Sequence, residues 1–198
     1  MYLFLATATT GLNSEHDDII KLSYQIEHNN AIVDKNIFHV KPRRGRIPSS
    51  IAKEALDFNG IDIATLRTYG DPEEACYRFI ATLKEVTNKG KDKLTVVGHN
   101  IKFDTDFLNN FIKLYTEYNL YSYIKFGGYD LLYVAPLIEN STRESYRDYK
   151  FATLCKQCSL HYDAKDIESK TENIKNLFDY YNKIVGYNSS VGDFSWRV

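Results

Sequence analysis

Tyr2-Leu3-Phe4-Leu5-Ala6-Thr7-Ala8-Thr9-Thr10-Gly11-Leu12 opens the chain. Tyr2 to Leu5 is a short β-prone apolar run, and Thr9-Thr10-Gly11 supplies the residues of a turn that ends it, so an early central strand is predicted here. Ile19 to Glu27 alternates apolar and polar residues, and Ala31 to Val40 resumes the alternation after the polar His28-Asn29-Asn30. These two segments read as a hairpin that extends the sheet. Three antiparallel strands are therefore expected at the start of the fold.

Downstream, the pattern changes from strands in series to strands and helices in alternation. Pro48-Ser49-Ser50 precedes a helical stretch from Ile51 to Phe58. Asp71-Pro72-Glu73-Glu74 is a strong helix start, with proline in the first turn and acids at the positive helix end. Ala75, Phe79, Leu83 and Val86 give that helix a buried stripe, and it should run to about Asn88. Leu94 to Val97 is a compact apolar run, as expected of a buried strand, and helical spacing resumes at Phe107, Leu108, Phe111 and Leu114. Tyr129 to Tyr133 reads as a strand-to-helix junction, Lys150 to Ser159 as a helix, and Ile167 to Val185 as the final helix. The order predicts an α/β or α+β domain with a mixed sheet. A length of 198 residues at 43% hydrophobic content suits one core, so residues 1–185 are read as one domain and 186–198 as a tail in which Trp196 is a packing anchor.

The formal net charge of -1 excludes a global basic field, so any phosphate binding must be local. Lys41-Pro42-Arg43-Arg44-Gly45-Arg46 is the one basic loop, either a solvated connection or a phosphate contact. Met1 to Leu12 lacks the basic flank of an export signal and no stretch approaches a bilayer span, which leads to the expectation of a cytoplasmic protein. Three cysteines fit a reducing compartment better than a disulfide framework. Cys155 and Cys158, followed by His161, could be read as zinc ligands or a redox pair, but no second ligand pair follows, and two small apolar residues on a helix is the plainer reading.

Three separated patches carry chemistry. Phe4 to Leu12 resembles the first motif of the DnaQ-like (DEDDh) 3′-5′ exonucleases, Asp-x-Glu-Thr-Thr-Gly-Leu, everywhere except at the acids, which are Ala6 and Ala8 here. Val97-Gly98-His99-Asn100-Ile101-Lys102-Phe103-Asp104 looks like the second motif, with Asp104 in the acidic position. His161-Tyr162-Asp163-Ala164-Lys165-Asp166 is similar to the third, in which a histidine stands five residues before an aspartate. Asp163 departs from the commonest pattern, since a small residue is frequent there, and it is a weak rival ligand. The resemblance implies an RNase H-like mixed central sheet flanked by helices.

It also implies a hydrolase that cleaves phosphodiesters at 3′ ends and releases 5′-mononucleotides. Such chemistry uses two divalent cations, Mg²⁺ or Mn²⁺, roughly 3.5 to 4 Å apart and held by carboxylate oxygens. Positions 6 and 8 of a strand share a face, so Asp and Glu there, with Asp104 and Asp166, would form the metal cage. His161 would be the general base, because imidazole titrates near neutrality. The backbone around Thr9, Thr10 and Gly11 would receive the terminal 3′-hydroxyl, Leu12 would wedge beside the last base, and His99, Asn100 and Phe103 would flank the terminal nucleotides. Ala6 and Ala8 are read as replacements of Asp and Glu that disarm the enzyme, in preference to a naturally inactive homologue, because Asp104, His161 and Asp166 are retained. Restoring both acids is then expected to restore cleavage. The implied partners are 3′ ends of single-stranded DNA or RNA, with no membrane, and a homodimer or a larger nucleic-acid-processing complex. Two other functions fit the same residues: a module that binds 3′ ends without cutting, and a hydrolase of very short oligonucleotides.

Overall fold

Seven of the eight residues of β1 (Tyr2–Thr9) are buried, so the opening strand has no solvent face. The computed structural model describes residues 1–43, 50–142 and 145–190; Arg44, Gly45 and Arg46 of the basic loop, Pro48-Ser49, and Trp196 lie outside the described residues. β1 pairs antiparallel with β2 (Ile19–His28), which pairs antiparallel with β3 (Ala31–His39). Asn29 and Asn30 turn that hairpin with φ of 52° and 61°, the left-handed conformation that asparagine tolerates. On its other side β1 runs parallel to β4 (Leu94–Gly98), with Tyr2 opposite Thr95 and Phe4 opposite Val97. β4 runs parallel to β5 (Ile124–Asp130), which gives the order β3-β2-β1-β4-β5. The chain is thus an α/β protein with a mixed five-stranded sheet flanked by helices, as the sequence leads one to expect.

The helices are α1 (Ser50–Phe58), α2 (Ile63–Thr68), α3 (Pro72–Val86), α4 (Ile101–Tyr115), α5 (Leu131–Thr142), α6 (Phe151–Gln157) and α7 (Ile167–Ser190). The alternation of β1 divides the core in two. Leu3 and Leu5 point to a layer built with Phe79 and Leu83 of α3 and Phe107 and Phe111 of α4. Phe4, Ala6 and Ala8 point to the opposite layer, with Leu131 of α5, Leu154 of α6 and Leu177 and Phe178 of α7. The side chains of Ala6 and Ala8 therefore share the face that α7 covers.

Some boundaries differ from the sequence expectation. β1 continues to Thr9 because its pairing with β2 persists through a bulge to Thr9 opposite Ile19. β5 begins at Ile124, ahead of the expected junction at Tyr129, and only its two end residues are buried. An edge strand of that kind lacks the apolar run by which a central strand is recognised. Its Gly128 is required by close packing, since a Cβ there would lie 2.3 Å from the Val96 carbonyl oxygen. The expected junction is found where β5 ends at Asp130 and α5 begins at Leu131, α2 is an additional helix, and α7 runs past Val185 to Ser190. Cys155 is buried on α6 and Cys158 caps it, which agrees with the packing reading of that pair. No helix among the described residues is long and apolar enough to cross a membrane.

α7 is fastened to the sheet at two levels. Lys175 Nζ lies 3.0 Å from Glu27 Oε2 on β2, and the Phe178 ring lies 4.9 Å from Tyr2 and 5.8 Å from Phe4. Phe178→Ala should lower unfolding free energy by about 3–5 kcal/mol, the usual cost of emptying a buried aromatic site. Urea unfolding checks this, and a midpoint equal to that of the parent would show that α7 does not hold this face.

Candidate functional site

Asp104 lies in the first turn of α4 and reaches across to the end of β1. Its Oδ1 accepts the Thr7 backbone N–H at 2.8 Å and the Thr7 hydroxyl at 2.7 Å. The carboxylate is 3% exposed, and burial pushes it above the ordinary carboxylate range, opposed by the nearby Lys170 ammonium and by the two Thr7 donors. α4 is placed by a residue that the motifs did not single out. Asp130, at the end of β5, accepts the N–H groups of Asn100 at 2.8 Å, Ile101 at 2.9 Å and Leu132 at 3.1 Å, and so joins the starts of α4 and α5. An aspartate between a strand and a helix is the available sequence signal for this role.

The turn after β1 is held by its own polar groups. Thr9 Oγ1 donates to the Gly11 carbonyl at 2.6 Å, Thr10 N donates to Asp18 O at 2.9 Å, and the Thr10 hydroxyl accepts Asp18 N–H at 2.9 Å. The Asp17 carboxyl group packs against Gly11, where a Cβ would come within 2.3 to 2.5 Å of it and displace that side chain. Arg43 in turn pairs with the Asp18 carboxylate, which carries the described end of the basic loop to this edge. His99 Nε2 donates to the Tyr149 carbonyl at 2.8 Å, and its ring meets the Phe151 ring edge-on at 5.4 Å; burial lowers its imidazole pKa, with the Tyr149 contact opposing. Asn100 adopts φ of 65° at the N-cap of α4.

A cavity of about 390 Å³ opens beside this turn. Its β1 wall is Thr7, Ala8 and Thr9, its mouth is Gly11 and Leu12, and Phe103 of α4 faces Phe58 and Asn59 at the end of α1. Glu54 and Ala55 of α1 and Lys170 of α7 complete it. Leu12 is 85% exposed and Phe58 70% exposed, so both apolar side chains stand at the entrance rather than in the core. A smaller cavity of about 100 Å³ adjoins the first and shares Thr7, Ala8, Phe58, Asn59 and Lys170 with it. Its further wall consists of Lys21, Tyr162, Ala164, Lys165 and Ile167.

The structure thus gathers Ala8, Thr9, Gly11, Leu12 and Phe103 at one opening, with Ala6 and Asp104 buried behind it and Thr10 buried in the adjoining turn. His99 and Asn100 lie at the start of α4, outside the walls of both cavities. His161 and Asp166 do not line either cavity and both are exposed. Asp166 Oδ1 instead accepts Ser169 N–H at 3.0 Å as an N-terminal cap of α7, and the His161 carbonyl accepts Asn173 Nδ2 at 2.7 Å. Tyr162 and Ile167, the pair with the same five-residue spacing one position on, occupy the cavity wall.

These residues do not fit a pair of divalent cations. Ala6 and Ala8 carry no oxygen ligand, Asp166 caps a helix, and Asp104 Oδ1 is already engaged by two Thr7 donors. Among the described residues no group of three or more His, Cys, Asp or Glu side chains could hold a metal ion.

No protein-family model matches the chain. In sequence it is similar to ribonuclease T of Yersinia pseudotuberculosis and of Yersinia pestis, 31% identical over 107 residues in each case. The match covers 50% of this chain and 48% of the relative, so the chain spans about half the length of the curated relatives it matches. In structure it is similar to E. coli exonuclease I in complex with a dT13 oligonucleotide, with a TM-score of 0.72 at 16% identity over 90% of this chain and 42% of that one. The zinc-bound exonuclease I complex with single-stranded DNA gives a TM-score of 0.71 at 16% identity, with the same coverage. The fold is therefore the RNase H-like fold of exonuclease I.

The buried Asp104 carboxyl group makes stability depend on pH. A carboxyl group whose value is raised in the folded state makes the folded chain bind more protons than the unfolded one between the two values, so its contribution falls as pH rises through that window. Asp104→Asn keeps an acceptor for Thr7 N–H and removes the ionisation. Above pH of about 4, the ordinary carboxylate value, stability of this variant should decline less with pH than that of the parent. Urea midpoints across a pH series measure it, and parallel curves would contradict the assignment.

Proposed function

We propose that this chain engages the 3′ end of single-stranded nucleic acid in the cavity beside Ala8 and, with the residues it carries, holds the strand without hydrolysing it. This reading is supported by a hydrogen-bonded turn with apolar side chains at a cavity mouth, beside positions 6 and 8 that carry no carboxylate. The Thr9-Thr10-Gly11-Leu12 turn is hydrogen-bonded in place, and Leu12, Phe58 and Phe103 offer apolar and aromatic faces at the entrance. Stacking of bases on such faces contributes about 1–3 kcal/mol per base and needs no sequence preference. The likeness to exonuclease I bound to dT13 supports a single strand as the ligand. On this reading Ala6 and Ala8 belong to a site altered as a whole, because Tyr162, Ile167 and Lys170 form the wall where a cleaving enzyme needs a base and an acid.

A second reading is favoured by the preserved turn and by Asp104: a two-metal 3′-5′ exonuclease of the DEDDh class that lacks only the two acids at positions 6 and 8, with His161 and Asp166 as its remaining base and ligand. The two readings differ in one experiment. The parent and the double variant Ala6→Asp, Ala8→Glu are incubated with labelled single strands of DNA and RNA in Mg²⁺ or Mn²⁺. The expected result is binding by both, with preference for a free 3′ end over a blocked one, and no release of 5′-mononucleotides by either. Release by the double variant would establish the exonuclease reading in place of ours, and absence of binding by the parent would overturn ours outright.

A further inference from the structure

Resting on that reading, we infer that lysine side chains, Lys170 above all, take the place of divalent cations in this site, so that the chain grips the terminal phosphodiester directly and independently of metal. Lys170 lines both cavities, and Lys21 and Lys165 line the smaller one. Lys21 is the cross-strand neighbour of Ala8, and Lys170 lies three residues after Ile167 on α7, hence on the same helix face. Three lysines, on β2, on the loop before α7 and on α7 itself, thus line the cavity beside Ala8.

None of these amines has a carboxylate within ion-pair distance among the described residues. The ion pairs found there join Arg43 to Asp18, Lys102 to Asp106, Arg147 to Asp148, and Lys175 to Glu27 and Asp179. The Lys170 ammonium is near enough to Asp104 and to His99 to act electrostatically on both. Burial holds the Lys21 amine below its ordinary value, with Asp166 opposing, as for a half-buried cation short of a counter-charge. A phosphate oxygen is the counter-charge that the cavity can admit.

The sign of the site is what matters. Four carboxylates around a phosphodiester would repel it, and bound cations are needed to reverse the field. Here two of those positions are alanines and Asp166 caps α7, so that beside the buried Asp104 and the Glu54 of α1 three lysine side chains line the cavities. Lysine suits this role because it is a compact charge with rotatable donors on a long stem, able to meet a phosphate oxygen wherever the strand places it. The buried apolar side chain of Ile167 beside it lowers the local polarity and strengthens the attraction.

The test uses the full chain and a 5′-labelled oligodeoxythymidylate, followed by fluorescence anisotropy across a salt series in EDTA and in Mg²⁺. The parent should bind with the same affinity in both buffers, within about twofold. Lys170→Ala should weaken binding roughly tenfold and lower the slope of log affinity against log salt by about 0.7, the value for one single-strand phosphate contact. Lys170→Arg should retain most of the affinity and Lys170→Glu should lose it. Lys170→Gln, which keeps most of the stem, and Lys21→Ala give the same readout if Lys170→Ala folds poorly by circular dichroism. Binding that requires Mg²⁺ or Mn²⁺ would overturn this inference and leave the binding function standing, as would Lys170 variants with parental affinity and slope. No binding by the parent in either buffer would overturn both.

Discussion

The parallel pairing of β1 with β4 is the constraint from which the site follows. Because Tyr2 to Phe4 run alongside Thr95 to Val97 in the same direction, the carboxyl ends of both strands open on one edge of the sheet. The turn at Thr9 to Leu12 and the entry to α4 at Asn100 are thereby brought together although they are far apart in sequence. Crevices outside the carboxyl ends of parallel strands are where open α/β sheets bind ligands, and the larger cavity lies there. Two bonds from Thr7 to Asp104 then fix α4 against β1, and the Asp130 carboxylate fixes the start of α4 from the other side. The position of Asp104 is thus determined twice over, by packing and by hydrogen bonds.

Burial explains why this stitch is costly to disturb. A carboxylate with so little exposure is tolerated only while its oxygens are satisfied, and Thr7 supplies both a backbone and a hydroxyl donor to one of them. The same residue would be a poor starting point for a metal site unless neighbouring acids shared the cation. With alanine at positions 6 and 8, the face of β1 that meets α7 is apolar, and it packs with Phe4, Leu177 and Phe178 as ordinary core. Alanine at both positions is therefore well accommodated in this layer.

Much of this architecture was legible in the sequence, and the parts that were not share a physical cause. The hairpin of β2 and β3, the buried strand β4 and the capped start of α3 all carry local signals: alternation, an unbroken apolar run, and an Asp-Pro-Glu-Glu helix entry. β5 is exposed along most of its length and interrupted by Gly127 and Gly128, so nothing local marks it. The third motif is harder. His161 with Asp166 and Tyr162 with Ile167 satisfy the same spacing, and only the tertiary packing of α7 decides which pair turns inward. An aspartate just before a helix reads equally as a ligand and as a cap; Asp166 is found as a cap. Lys170 and Asp130 were invisible for a related reason, since each acquires its role from strands and helices remote in sequence.

Replacement of bound cations by tethered ammonium groups separates two functions that a metal site performs together. Divalent ions attract the phosphodiester, and they also lower the pKa of a water molecule and stabilise the charge that develops on the leaving oxygen. Lys170 can do the first, because attraction needs only a positive charge near the phosphate oxygens. A protonated amine holds no water in an ionised form, and neither wall residue at the third motif offers a base, since Ile167 is apolar and burial raises the Tyr162 phenol above its ordinary value. On the proposed reading the cavity attracts a strand end while lacking the groups that would cleave it.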